Sequence, residues 1–185
     1  MAVATAGAFT WDDLQRMPDD NLRRELVDGQ LLVTPSPSGR HQVAVLSLLR
    51  LLSESCPGAL RAMPPPYDWK VSGTTVFVPD LMVVRQDEFD LDRPFTGTPL
   101  LVVEVRSPST AATDRTLKRE QYARHGAAAY WLVDPGGPDA GQLPTLTVLH
   151  LADGTYHQVA EVRGDQPYRG EQPHPVTVVP GELVR

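Results

Sequence analysis

Glu104 stands inside the apolar run Leu101-Val102-Val103-Glu104-Val105, where burying an unpaired carboxylate costs several kcal/mol. Strand alternation sets Leu100, Val102, Glu104 and Arg106 on one face and Leu101, Val103 and Val105 on the other. The carboxylate therefore needs a partner: Arg106 or Lys118 in an ion pair, or a metal ion. Asp80 favours the metal. It opens a second apolar run, Leu81-Met82-Val83-Val84, directly after Pro79, and two such strands lying side by side bring both carboxylates to one edge of a sheet. Hard divalent cations such as Mg²⁺ take oxygen ligands, usually one or two carboxylates completed by waters and substrate phosphate. Such an ion lowers the pKa of a bound water and neutralises charge developing on a phosphate.

The basic residues add a second signal. Of 17 Lys and Arg residues only Lys70 and Lys118 are lysines; the other 15 are arginines. A lysine kept in so arginine-rich a chain points to a specific role. Lys118 shares a helix face with Asp114, Gln121, Tyr122 and His125 at i, i+4, i+7, i+8 and i+11, a face able to lean over the carboxylate edge. Glu25, just before the Asp28-Gly29 turn, reads locally as a charge on a hairpin edge. His41 falls on the same helical face as Val45, Leu48 and Leu52, where a lone histidine is more often a packing residue than a ligand. Other constellations fail. His125, His150, His157 and His174 lack zinc-like spacing; Ser107-Pro108-Ser109 lacks the glycines of a nucleophile elbow; there is no phosphate-cradling glycine loop.

The elements that must position these groups are legible in outline. Thr10 caps a short helix through Met17, with an acidic third helical residue. Strands over Arg24 to Val27 and Gln30 to Thr34 flank Asp28-Gly29, a strong hairpin signal. Ser38 is placed to cap a helix over Arg40 to Ser55, closed by Pro57-Gly58. Strands are expected over Leu60 to Met63, Tyr67 to Val71, Thr75 to Val78, and Leu81 to Val84, with Pro79 marking a strand end. Leu100 to Val105 reads as a central strand covered on both faces. Ser107 to Thr110 reads as the turn and N-cap of a polar helix over Thr113 to His125, stopped by Gly126. Ala129 to Val133 is a buried strand, a hairpin follows over Thr145 to Leu151 and Thr155 to Val162, and a last short strand covers Val176 to Val179. The expected fold is α/β (mixed α+β): a sheet flanked by two main helices, with an N-terminal hairpin and a C-terminal β extension, as a single domain over 1–185. Trp69 and Trp131 are read as core or interface residues.

Bulk properties narrow the classes. A chain of 185 residues, 41% hydrophobic and 22% charged, with mean hydropathy −0.24, is the size and composition of one globular domain. It has no run long enough for a membrane helix, and the start lacks the basic leader of a secretory signal. One cysteine, Cys56, excludes an intramolecular disulfide and a cysteine-rich zinc module. The expected location is the cytoplasm. A net charge of −6 argues against bulk coating of nucleic acid but not against an enzyme whose positive charge is local.

Taken as a string of spaced elements, the chain resembles a known family. Pro79-Asp80 followed 24 positions later by Glu104-Val105-Arg106 looks like the PD-(D/E)XK motif of restriction-endonuclease-like proteins. The closer resemblance is to the Uma-two family of predicted endonucleases within that superfamily. It extends through Glu25-Leu26-Val27-Asp28-Gly29, His41, Val103-Glu104-Val105, Ser107-Pro108-Ser109-Thr110, Asp114, Lys118, Tyr122 and Tyr130-Trp131-Leu132-Val133-Asp134-Pro135. The resemblance implies a four- or five-stranded mixed sheet core with flanking helices. It also implies a Mg²⁺ (or Mn²⁺) site at Asp80 and Glu104, and an endodeoxyribonuclease activity on DNA. It brings Glu25 and His41 into the site as further catalytic candidates. One position departs from the motif: its basic residue is Arg106, which with a pKa above about 12 cannot act as a base. In the family the lysine sits on the next helix, here Lys118, where it would orient the attacking water or stabilise the transition state. Nucleases of this type often pair to cut two strands, which leaves room for a homodimer. Two other functions stay open: a non-catalytic binding or assembly protein retaining the scaffold, and a metal hydrolase acting on something other than nucleic acid.

Overall fold

The computed structural model describes residues 7–20, 22–34, 36–106, 114–137 and 141–185. The chain opens with helix α1 (Trp11–Arg16), closed at its N-terminus by a capping box in which the Thr10 and Asp13 side chains and backbones satisfy one another. Strands β1 (Arg23–Val27) and β2 (Gln30–Thr34) form the expected hairpin. Asp28 (φ 49°) and Gly29 (φ 80°) both adopt left-handed backbone at its turn, as the tightest hairpin connection requires. Helix α2 (Gly39–Ser55) is capped by Ser38 and buries His41, Ala44, Val45, Leu48 and Leu52 along one face.

Ten further short strands follow: β3 (Leu60–Met63), β4 (Trp69–Lys70), β5 (Val76–Phe77), β6 (Leu81–Arg85), β7 (Leu101–Val105), β8 (Ala129–Asp134), β9 (Thr145–Ala152), β10 (Thr155–Arg163), β11 (Tyr168–Gly170) and β12 (Val176–Val178). The main sheet has six strands in the order β10-β9-β8-β7-β6-β3, with β7 and β8 its parallel pair. It is wider than the four or five strands expected, because β9 continues the ladder beyond β8 and carries its hairpin partner β10 with it. A second sheet, β2-β1-β5-β4, uses only the middle residues of the stretches predicted over 67–71 and 75–78. The C-terminal strand β12 pairs with β11, a partner that the proline-rich tail did not announce.

The main sheet is covered on both faces. On one, α2 packs Ala44, Val45, Leu48 and Leu52 against Leu81, Val83, Leu101, Val103, Val105 and Trp131. On the other, Tyr122 joins Trp69, Phe77, Met82, Val102 and Tyr130. The segment predicted as one polar helix over 113–125 begins outside the described residues, as does the turn over 107–110. From Asp114 it is a π-helical turn (Asp114–Lys118) running into helix α3 (Arg119–Arg124). Its Lys118, Gln121 and Tyr122 face is buried, while Arg119, Glu120 and Arg124 are exposed. No described helix is long and apolar enough to cross a membrane.

Candidate active site

The register of β6 and β7 builds the centre of the site. Leu81 pairs with Val103, Met82 with Val102 and Val83 with Leu101. One step further along that ladder, Asp80 comes opposite Glu104. Leu81 and Val103 belong to the α2 side of the sheet, so alternation turns Asp80 and Glu104 to the other side. Pro79 ends the preceding segment, and the Asp80 carboxylate accepts the Val105 amide at 2.7 Å. Both carboxylates are buried, at 2% and 1% exposure. Like charges directly opposite one another in a sheet are unfavourable, which makes their counter-ions the next question.

Two cations answer it. Lys118 Nζ donates to Glu104 Oε1 at 2.8 Å and lies 3.0 Å from Glu25 Oε2. Arg23, on β1, donates from Nη1 to Asp80 Oδ1 at 2.6 Å, while its Nη2 lies 3.9 Å from Glu104 Oε2. One guanidinium thus faces both carboxylates of the pair. His41 Nε2 is 3.2 Å from Asp80 Oδ2, and the Tyr122 hydroxyl donates to Glu104 Oε1 at 2.6 Å. Glu25 Oε1 accepts the Val78 amide at 2.8 Å.

Electrostatics follow from these contacts. Burial pushes the Asp80 carboxyl up, but the His41 hydrogen bond, the Arg23 charge and the Val105 amide outweigh it and hold the pKa at about 2. Burial pushes the Tyr122 phenol far up, and the Glu104 and Glu25 charges push it further, so it stays a neutral donor. For Arg23, burial works against the charge, yet Glu104, Asp80 and Glu25 together make it a firmer cation. Asp68 is raised by burial and by Glu25. A cleft of about 520 Å³ reaches this centre, lined by Trp11, Leu14 and Met17 together with Arg23, His41, Asp68 and Asp80.

All five residues singled out in the sequence, Asp80, Glu104, Lys118, Glu25 and His41, therefore meet in one network. Glu25 is not the hairpin-edge charge that its local context suggests, because β1 lies between β2 and β5 and carries it inward. The π-helical turn delivers Lys118. Arg106 is directed elsewhere and pairs with Asp134. Gln121 reaches toward Asp28, and His125 packs against Trp69 and Phe77; neither joins the carboxylates. The side chain of Asp114 is outside the described residues. Sequence reasoning missed Arg23, although a signal existed: it sits two residues before Glu25 on one strand, hence on the same face.

The donor set suits a hard cation. Among the described residues no three His, Cys, Asp or Glu side chains are grouped to hold a metal ion by themselves. A Mg²⁺-type site needs only one or two carboxylates, with water and phosphate completing the shell. Asp80 Oδ1 and Glu104 Oε2 already face a common positive group.

A mixed sheet bearing a cross-strand Asp–Glu pair with an adjoining lysine is the architecture of a restriction-endonuclease-like nuclease. The family model for Uma2, described as "putative restriction endonuclease", matches residues 11–179, and the chain belongs to that family. A crystal structure of a "putative nuclease" belonging to DUF820, from Anabaena variabilis, superposes with a TM-score of 0.69 over 95% of this chain and 97% of its own, at 19% identity. That likeness shows the fold. Among curated proteins none matches the chain.

Proposed function

We propose that this chain is a single-domain, divalent-metal-dependent endonuclease that hydrolyses phosphodiester bonds in DNA. In this reading it works in the cytoplasm, as a homodimer where both strands are cut. The supporting observation is the buried Asp80–Glu104 pair facing one cation, with Lys118 anchored beside it. Asp80 and Glu104 would hold Mg²⁺ or Mn²⁺. When bound, the ion would supply an acidified water and neutralise charge on the phosphate. Asp80 is a ready ligand because His41, Arg23 and the Val105 amide keep it ionised. Lys118, fixed by contacts to Glu104 and Glu25, would orient the attacking water or stabilise the charge that builds on the phosphate. Glu25, His41 and Tyr122 act as positioning residues, each holding a member of the central group. Arg106 takes no part, since Asp134 engages it.

The test is cleavage of supercoiled plasmid, linear duplex and single-stranded DNA in Mn²⁺, with Asp80→Ala and Glu104→Ala as controls. Cleavage by the parent protein that disappears in both variants supports the proposal; cleavage that survives either substitution overturns it. One observation favours a second reading, a scaffold without catalysis: Arg23 and Lys118 already provide cationic partners for the carboxylates. Calorimetry with Mn²⁺ separates the two, because a dead scaffold yields no binding heat that depends on Asp80.

A further inference from the structure

The central network contains three buried carboxylates, Asp80, Glu104 and Glu25, two side chains with formal positive charge, Arg23 and Lys118, and the His41 imidazole, counted as neutral. A divalent ion added to the full set would leave four positive charges against three negative. With Arg23 withdrawn, Lys118 and the ion balance the three carboxylates. Buried charge that is not matched is expensive, so the arithmetic selects one cation to leave.

Geometry selects the same one. Lys118 is 3% exposed and is gripped at 2.8 and 3.0 Å by two carboxylates. Arg23 is 21% exposed and makes one short contact, its second being 3.9 Å. Its buried Nε has no hydrogen-bond partner among the described residues. Arg23 lines the cleft, whereas Lys118, Glu25 and Glu104 do not.

Resting on the metal-site reading above, we propose that Arg23 is the resident counter-ion of the Asp80–Glu104 pair. A divalent cation displaces it, and the released guanidinium turns into the cleft to bind a substrate phosphodiester. A guanidinium fork matches phosphate as well as carboxylate, so one side chain serves both states. Bound metal then exposes Arg23, and bound DNA covers it again.

The experiment reads Arg23 directly in the full chain. Its modification by phenylglyoxal is followed by mass spectrometry without metal, with Ca²⁺, and with Ca²⁺ plus a short oligonucleotide. The expected result is slow labelling without metal, severalfold faster labelling with Ca²⁺, and renewed protection by the oligonucleotide. Labelling that Ca²⁺ leaves unchanged or slows overturns the displacement; labelling that the oligonucleotide leaves fast overturns the phosphate contact. In parallel, calorimetry compares Mn²⁺ binding by the parent protein, Arg23→Gln and Asp80→Ala. Removing the competing cation should tighten Mn²⁺ binding about tenfold or more. If folded Arg23→Gln binds Mn²⁺ no more tightly than the parent, while Asp80→Ala abolishes binding, the metal site stands and the role of Arg23 falls. If neither the parent nor Arg23→Gln binds Mn²⁺, both fall. Should Arg23→Gln fail to fold, the labelling of the parent protein still decides.

Discussion

Asp80 and Glu104 stand opposite each other across two antiparallel strands, one step beyond the last paired residues, and both are buried. In a sheet that position is repulsive for two carboxylates. It persists here because neighbouring elements supply cations and donors: Arg23 from β1, His41 from α2, and Lys118 with Tyr122 from the π-helical turn and α3. An arrangement that sets two anions together and then gathers two cations and further hydrogen-bonding groups from four other segments is poorly explained by stability alone, since apolar packing does that at lower cost.

Neutralising one carboxylate should therefore remove metal affinity without harming the fold. Glu104→Gln keeps an oxygen acceptor for Tyr122 and Lys118 while cancelling the charge. Its expected outcome is Mn²⁺ binding weakened by more than about 100-fold, beyond the usual effect of losing an outer partner of a metal ligand, with cleavage lost in parallel. Calorimetry and a thermal melt on the same sample check both halves. Unaltered Mn²⁺ affinity would show that Glu104 is only a structural ion-pair partner.

Lys118 allows stability and activity to be separated. Lys118→Ala leaves Glu104 and Glu25 buried without their shared cation, a loss of about 3–5 kcal/mol that a urea titration measures. Lys118→Arg restores a positive charge and should recover much of that stability, yet its planar fork cannot reproduce one ammonium held between two carboxylates. Cleavage by Lys118→Arg is expected to remain at least about 100-fold down. Full activity in this variant would remove any specific role for the ammonium.

Tyr122 divides in a similar way between ring and hydroxyl. The ring packs against Trp69, Phe77 and Tyr130, and the hydroxyl donates to the Glu104 carboxylate. Tyr122→Phe keeps the packing and forfeits a hydrogen bond to a charged group, for about 1.5–3 kcal/mol. Tyr122→Ala loses both, with the ring worth about 3–5 kcal/mol. Equal destabilisation of the two variants would mean that the hydroxyl, not the ring, holds α3 in place.

These residues differ in how far the sequence betrays them. Asp80, Glu104 and the Asp28-Gly29 turn are legible because each violates or satisfies a local rule: a charge in an apolar strand, an aspartate after proline, a dipeptide suited to left-handed backbone. Helix α2 is legible from its period. The partners are not. Lys118 is 93 residues from Glu25, and Arg23 is 57 from Asp80, separations at which periodicity carries no information. Whether Arg106 or Lys118 meets Glu104 depends on the direction of the chain after β7, which no spacing rule supplies. Strands β4 and β5 fall inside the stretches read as strands over 67–71 and 75–78 but keep only two residues each, because ladder pairing sets their ends and local propensity does not. Strand β12 is legible as a short strand between prolines, but its partner β11 ends on a glycine and does not look like a strand until it pairs.

The last prediction concerns the tail. His174 is buried, with Nε2 2.9 Å from Ser55 Oγ and Nδ1 4.0 Å from Cys56 Sγ, tying the C-terminal segment to the end of α2. Burial pushes its pKa below the ordinary histidine value, so in the unfolded chain His174 takes a proton near pH 6.5 while the folded protein resists it. Between the folded value and about 6.5 the unfolded state binds more protons, so stability rises with pH across that window and levels off above it. Acidification from pH 7.5 to 5.5 should thus lower the urea midpoint. His125, also lowered by burial, adds a slope of the same sign. The His174→Asn variant should consequently start less stable at pH 7.5 yet lose less on acidification. Midpoints measured at pH 7.5, 6.5 and 5.5 for both proteins decide the matter: parallel slopes would mean that His174 is protonated as readily in the fold as outside it.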